Sequence, residues 1–185
     1  INVINHVKEN NSRLHLLGLL SDGGIHSHIN HLFGLLDMIK DKGVNEIYIH
    51  AFTDGRDTSP TSAVNFLKDI EKQTRKIGIG KIATIVGRYY AMDREKYYDR
   101  TKIAYDLLVN RNQTITDNAA VTVKQSYEDG ITDEFLKPIR EKRKYYEEHP
   151  ELVESILKEG TLKAQIKAKE VMKNVRKNMK IDYFK

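Results

Sequence analysis

Cysteine and tryptophan are absent from the 185 residues, and proline occurs only three times. Without cysteine there is no disulfide framework, thiol nucleophile or thiolate metal site, and the composition fits a reducing cytoplasm. Long hydrophobic runs are missing as well. None approaches the roughly 18 residues that span a bilayer, so no membrane partner is expected. No N-terminal stretch reads as a signal peptide. The chain contains no Walker A, G-x-G-x-x-G, H-E-x-x-H or G-x-S-x-G pattern. That removes the usual signatures of nucleotide binding, zinc proteolysis and the serine-hydrolase elbow. The sequence starts at Ile1, inside a helical pattern and without an initiator Met, and is expected to be a fragment.

What is present is a globular composition, 39% hydrophobic and 31% charged, whose net charge of +5 is unevenly placed. Residues 136–185 hold 14 Lys and Arg against 8 Asp and Glu, whereas residues 1–135 hold 17 against 18. All the excess positive charge lies in the tail, which predicts two parts, 1–135 and 136–185.

The first part alternates strands and helices. Ile1, Val3, Ile4 and Val7 have helical spacing. An apolar run over about 13–20 reads as a buried strand and stops at Ser21-Asp22-Gly23-Gly24, before a helix near 29–42. The run Glu46 to Phe52, rich in β-branched and aromatic residues, predicts a second strand. It leads through Thr53-Asp54-Gly55-Arg56-Asp57 into a helix over about 60–77. Lys81 to Val86 predicts a third strand, followed by Gly87-Arg88-Tyr89-Tyr90-Ala91-Met92-Asp93-Arg94 and a helix over about 95–110. The expected fold is α/β: a parallel sheet of three or four strands flanked by helices, followed by an all-helical basic C-terminal segment.

Parallel strands deliver their C-terminal ends to one edge, where open α/β sheets bind ligands. Three clusters arrive there: Asp22, His26 and His28; Asp54, Arg56 and Asp57; Arg88, Asp93 and Arg94. The His26/His28 pair invites a metal reading, but a zinc site needs three or four ligands, and neighbouring arginines repel a cation. An oxyanion partner suits His26 better, with helix capping as the plain alternative. Three arginines on adjacent loops repel one another unless an anion joins them, and guanidinium matches carboxylate and phosphate in bidentate geometry. Asp57 reads either as a salt-bridge partner or as an acid/base group, since a carboxylate among cations suits a base. Tyr89, Tyr90, Tyr97 and Tyr98 read as packing residues with wet hydroxyls.

The strings GLLSDGGIHSHINHL, HAFTDGRDTSPTSA and KIATIVGRYYAMDR, continued by QSYEDGITDEF, closely resemble the 2,3-bisphosphoglycerate-independent phosphoglycerate mutases over nearly all of residues 1–135. The resemblance implies an isomerase of glycolysis that interconverts 2- and 3-phosphoglycerate through a phosphoserine. In such enzymes two Mn²⁺ or Mg²⁺ ions and the serine sit in a phosphatase-like domain, and an inserted α/β domain holds the glycerate. This chain resembles the first part of that insert. It is expected to bind no cofactor itself and to lack turnover alone. The resemblance implies substrate contacts from His26, Arg56, Asp57, Arg88 and Arg94, proton transfer by Asp57, and carboxylate and phosphate binding by the arginines.

After Phe135 the likeness is expected to stop. The segment PIREKRKYYEEHPELVESILKEGTLKAQIKAKEVMKNVRKNMKIDYF resembles the C-terminal helices of bacterial tryptophanyl-tRNA synthetases. A helix is expected to open near His149-Pro150-Glu151. A last one is expected to carry Ala164, Ala168, Val171, Met172, Val175 and Met179 along one face. A fusion of two gene fragments near 135–139 follows from this reading. The alternatives are a tRNA-binding fragment led by the basic tail, and a fusion without function. A solvated helix face is favoured over tRNA contact, because no aromatics interleave the basic residues.

Overall fold

The computed structural model describes residues 2–109, 114–116, 118–141, 158, 161–163 and 165–172; for 114, 115, 140 and 141 it describes the backbone alone. Residues 1–142 form one compact unit and residues 143–185 a second.

In the first unit, helix α1 (Asn2–Glu9) leads to strand β1 (Leu14–Leu20), helix α2 (Ile29–Asp41) and strand β2 (Ile47–Thr53). Helix α3 (Ala63–Ile77), strand β3 (Lys81–Gly87), a single helical turn α4 (Arg88–Ala91) and helix α5 (Tyr98–Val109) follow. Then come strand β4 (Thr114–Thr116), helix α6 (Ala119–Glu128), a 3₁₀ turn (Asp133–Phe135) and strand β5 (Ile139–Glu141).

The three long strands pair in parallel as the sequence predicts. Leu14 lies opposite Ile47 and Leu20 opposite Thr53, and β3 joins β2 with a register shift between Ile49 and His50. Two three-residue strands extend this core beyond the expected count, in the order β1-β2-β3-β5-β4. β5 runs antiparallel to β3 and parallel to β4. Strands this short carry no readable alternation, so periodicity could not announce them.

Helices cover both faces. On one, Ile4 and Val7 of α1, Leu36 and Ile39 of α2, Phe66, Leu67 and Ile70 of α3 and Val123 of α6 pack on Leu14, Ile47, Ile49 and Ile82. On the other, Ala104 and Leu107 of α5 close over Val86. Leu36, Leu67 and Ile70 are fully buried, each contributing about 1.5–3 kcal/mol. The chain punctuates these helices locally. His28 Nδ1 accepts from the Asn30 amide at 3.2 Å and caps α2. Gly78, at φ 78°, ends α3 in the left-handed conformation that glycine adopts without strain. Helix α3 begins at Ala63, so Pro60 lies in the preceding turn and not in the first helical turn.

In the second unit, residues 161–163 and 165–172 are helical, and Val171 and Met172 of the expected stripe are exposed. The helix expected near 149–151 and the stripe positions Ala164, Val175 and Met179 lie outside the described residues. No described helix is long and apolar enough to cross a membrane.

Candidate functional site

The loops leaving β1, β2 and β3 meet at the C-terminal edge of the sheet, around one carboxylate. Arg88, the first residue after β3, donates Nη1 to Asp54 Oδ1 and to Asp57 Oδ2, both at 2.6 Å. His26, from the loop after β1, places Nε2 3.8 Å from that same Asp57 oxygen. Asp57 is thus held from behind by a buried cation, while its own side chain stays 20% exposed. Three of the expected residues, one from each loop, are brought together here.

Asp54 builds this corner. Its Oδ1 also accepts the amides of Arg56 at 3.1 Å and Asp57 at 3.0 Å, the side-chain-to-backbone turn in which Asp excels. Asp54 and Arg88 are 1% and 5% exposed. Asp54 Oδ2 is buried and has no hydrogen-bond partner among the described residues. Burial pushes the Asp54 carboxyl up, but the amide of Asp57, the nearby Ser21 hydroxyl, the Arg88 guanidinium and the amide of Arg56 outweigh it. The group is held below the usual carboxylate range. Burial likewise works against charge on Arg88, and its bonds to Asp57 and Asp54 reverse this, raising it above its ordinary value.

The remaining arginines are placed differently. Arg56 does not pair with its neighbour Asp57. Its Nε and Nη2 both donate to Glu134 Oε1, the former at 3.0 Å. Arg94 is exposed and makes no hydrogen bond or ion pair with any described residue. The loop that carries it is pinned beside it: Asp93 Oδ2 accepts the Tyr97 amide at 2.8 Å. Arg100 lies over the rings of Tyr89 and Tyr97 at 4.1 and 4.0 Å. Asp22 is exposed, and His28 is occupied as a helix cap, so the two do not join His26 in a cluster.

Sequence reasoning left like charges waiting for an anion. The site instead brings its own: Asp54 and Asp57 answer Arg88, and Glu134 answers Arg56. Glu134 escaped notice because it lies 78 positions from Arg56. Its signal in the sequence is the acidic pair in the string DGITDEF. Asp133, beside it, was missed as well. Asp133 is fully buried, and its Oδ2 caps α3 by accepting the Ala63 amide at 2.8 Å. Tyr127 donates its hydroxyl to Asp133 Oδ1. Burial raises the Asp133 carboxyl further than these bonds lower it, and burial together with Asp133 raises the Tyr127 phenol.

Two glycines let this segment reach the edge. Gly55, at φ 70°, sits where a Cβ would stand 2.8 Å from the Glu134 nitrogen. A Cβ on Gly87 would overlap the Glu134 carbonyl and stand 2.8 Å from the Leu136 nitrogen. Gly87 also donates its amide to the Leu136 carbonyl at 2.9 Å. The backbone of Glu134 is thereby wedged between the ends of β2 and β3.

Among the described residues the metal ions implied by the resemblance find no fit. No three His, Asp or Glu of these stand together as a ligand set, and the partly exposed carboxylate of Asp57 is already committed to Arg88. What the arrangement offers is a partly accessible carboxylate next to an imidazole and backed by one buried guanidinium.

Residues 1–157 match the model of the BPG-independent PGAM N-terminus family, so the match runs past Phe135. A 2,3-bisphosphoglycerate-independent phosphoglycerate mutase of Clostridium kluyveri is 54% identical over 135 residues, covering 73% of this chain and 26% of that protein. One from Clostridium botulinum is 46% identical over 167 residues, covering 90% and 30%. The crystal structure of Leishmania mexicana phosphoglycerate mutase at low cobalt concentration superposes with a TM-score of 0.64 at 23% identity. It covers 76% of this chain and 30% of that one, a likeness of fold. The chain thus spans between a quarter and a third of the length of these curated relatives. By the extent of the family match, the chain belongs to the BPG-independent PGAM N-terminus family.

Proposed function

We propose that this chain is the glycerate-holding part of a 2,3-bisphosphoglycerate-independent phosphoglycerate mutase, with His26, Arg56, Asp57, Arg88 and Arg94 as its substrate site. The supporting observation is the shared Asp57 oxygen, which faces His26 and is held by buried Arg88. A partly exposed carboxylate so placed can accept the proton of a glycerate hydroxyl as that oxygen takes a phosphoryl group, and return it in the reverse direction. Arg94 and the N–H groups that Arg56 does not give to Glu134 supply donors for carboxylate and phosphate. Positioning of this kind carries much of a phosphoryl-transfer barrier. The serine and the metal ions belong, in this reading, to the part of the relatives beyond this chain, where the metals stabilise the charge of the transferred group. Turnover by the chain alone is therefore not expected.

Arg94 gives the cleanest test, because it has no described partner whose loss would disturb the fold. Isothermal titration with 3-phosphoglycerate should show binding, weakened about tenfold or more in Arg94→Ala with an unchanged melting temperature. Absence of binding, or binding that Arg94→Ala leaves intact, overturns the proposal.

A further inference from the structure

We propose that Glu134 is a positioning residue that fixes the Arg56 side chain for anion capture; the inference rests on the reading of Arg56 as a substrate contact. A guanidinium carries five N–H donors. Glu134 Oε1 takes one from Nε and one from Nη2, which leaves both hydrogens of Nη1 and one of Nη2 for a ligand. An arginine held in this way has lost its rotamer freedom before the ligand arrives, so binding does not bear that entropy cost.

The anchor is itself rigid. Glu134 lies in the 3₁₀ turn wedged between Gly55 and Gly87, and the Glu134 side chain is only 16% exposed. Neighbouring Asp133 ties the same turn to β2 and to the turn that precedes α3. Its carbonyl accepts from Thr53 Oγ1 at 2.6 Å, and its amide donates to the Pro60 carbonyl at 2.8 Å. Residues far apart in the chain thus set where one cation is held. Arg56 itself is 47% exposed at the side chain, so without Glu134 nothing else described restrains its guanidinium.

The test has two arms, on wild type, Glu134→Ala and Glu134→Gln. In the first, hydrogen exchange at Arg56 Nε is followed by ¹⁵N NMR without ligand. It should be slow in wild type, fast in Glu134→Ala and intermediate in Glu134→Gln, whose amide oxygen can still accept. Equal exchange in wild type and Glu134→Ala overturns the proposal. In the second arm, 3-phosphoglycerate is titrated into these variants, Arg56→Ala and the double variant. Glu134→Ala should weaken binding about tenfold and add nothing in the Arg56→Ala background. An equal loss in both backgrounds means that Glu134 acts elsewhere and also overturns the proposal. If no protein binds while the Nε exchange follows the expected order, the substrate reading falls and the hold of Glu134 on Arg56 stands.

Discussion

Replacing Arg88 by methionine isolates the electrostatic centre of the site. The guanidinium is 5% exposed and serves two carboxylates through one nitrogen, one of them the nearly fully buried Asp54. Methionine fills much of the same space but leaves Asp54 without its cation, held by the two backbone amides on Oδ1 and the nearby Ser21 hydroxyl. Breaking a buried ion pair by removing one partner costs about 3–5 kcal/mol, because the other charge stays buried. The loss should depend on pH in a definite sense. Asp54 has a folded-state pKa below its ordinary value of 3.8, so its contribution is present above that value and is lost as pH falls through the folded pKa. The gap between wild type and Arg88→Met, measured by urea denaturation, should therefore be full at pH 7 and shrink below about pH 4. Adding Asp54→Asn should recover part of the loss at pH 7. A gap that keeps its size down to pH 3 refutes the argument, since the partner lost would not then be an ionised Asp54.

Three further substitutions probe the wedge and its support, one of them as a control. Gly87→Ala should cost about 2–4 kcal/mol by thermal melting, because the added methyl meets backbone that cannot swing aside. Gly18→Ala, with nothing within 4 Å of the new Cβ, should be neutral or gain up to about 1 kcal/mol; equal losses at both positions would exclude close approach as the cause. Tyr127→Phe should cost about 1–3 kcal/mol at pH 7 by leaving Asp133 Oδ1 without its donor. Asp133 already binds its proton more tightly folded than unfolded, and losing the phenol sharpens this, so the penalty should fade as pH drops; a penalty that grows in acid contradicts the assignment.

The long elements were legible because each is written locally. The apolar and β-branched runs of β1, β2 and β3 and the inward spacing of Ala63, Phe66, Leu67 and Ile70 carry their own periods. The turn Arg88–Ala91 is not legible as a helix, since four residues give no helical repeat. β5 was assigned to the tail because Ile139, 3% exposed, reveals its burial only once β3 is beside it. The site was legible in the same uneven way. His26, Asp57 and Arg88 follow from the rule that parallel strands end on one edge. The partner of Arg56 does not, because the rule concerns the loops after successive strands, and Glu134 comes from a later turn that two glycines admit.

The position of β5 between β3 and β4 also has a consequence for the order of synthesis. Strands β1 to β3 can assemble as soon as residue 87 has left the ribosome, each on a neighbour already made. β4, though it emerges earlier than β5, pairs with β5 in the finished sheet and must wait for Ile139–Glu141. The nascent chain therefore carries an edge strand ahead of its partner, and a pause within that interval would prolong the time it stands open to a neighbouring chain.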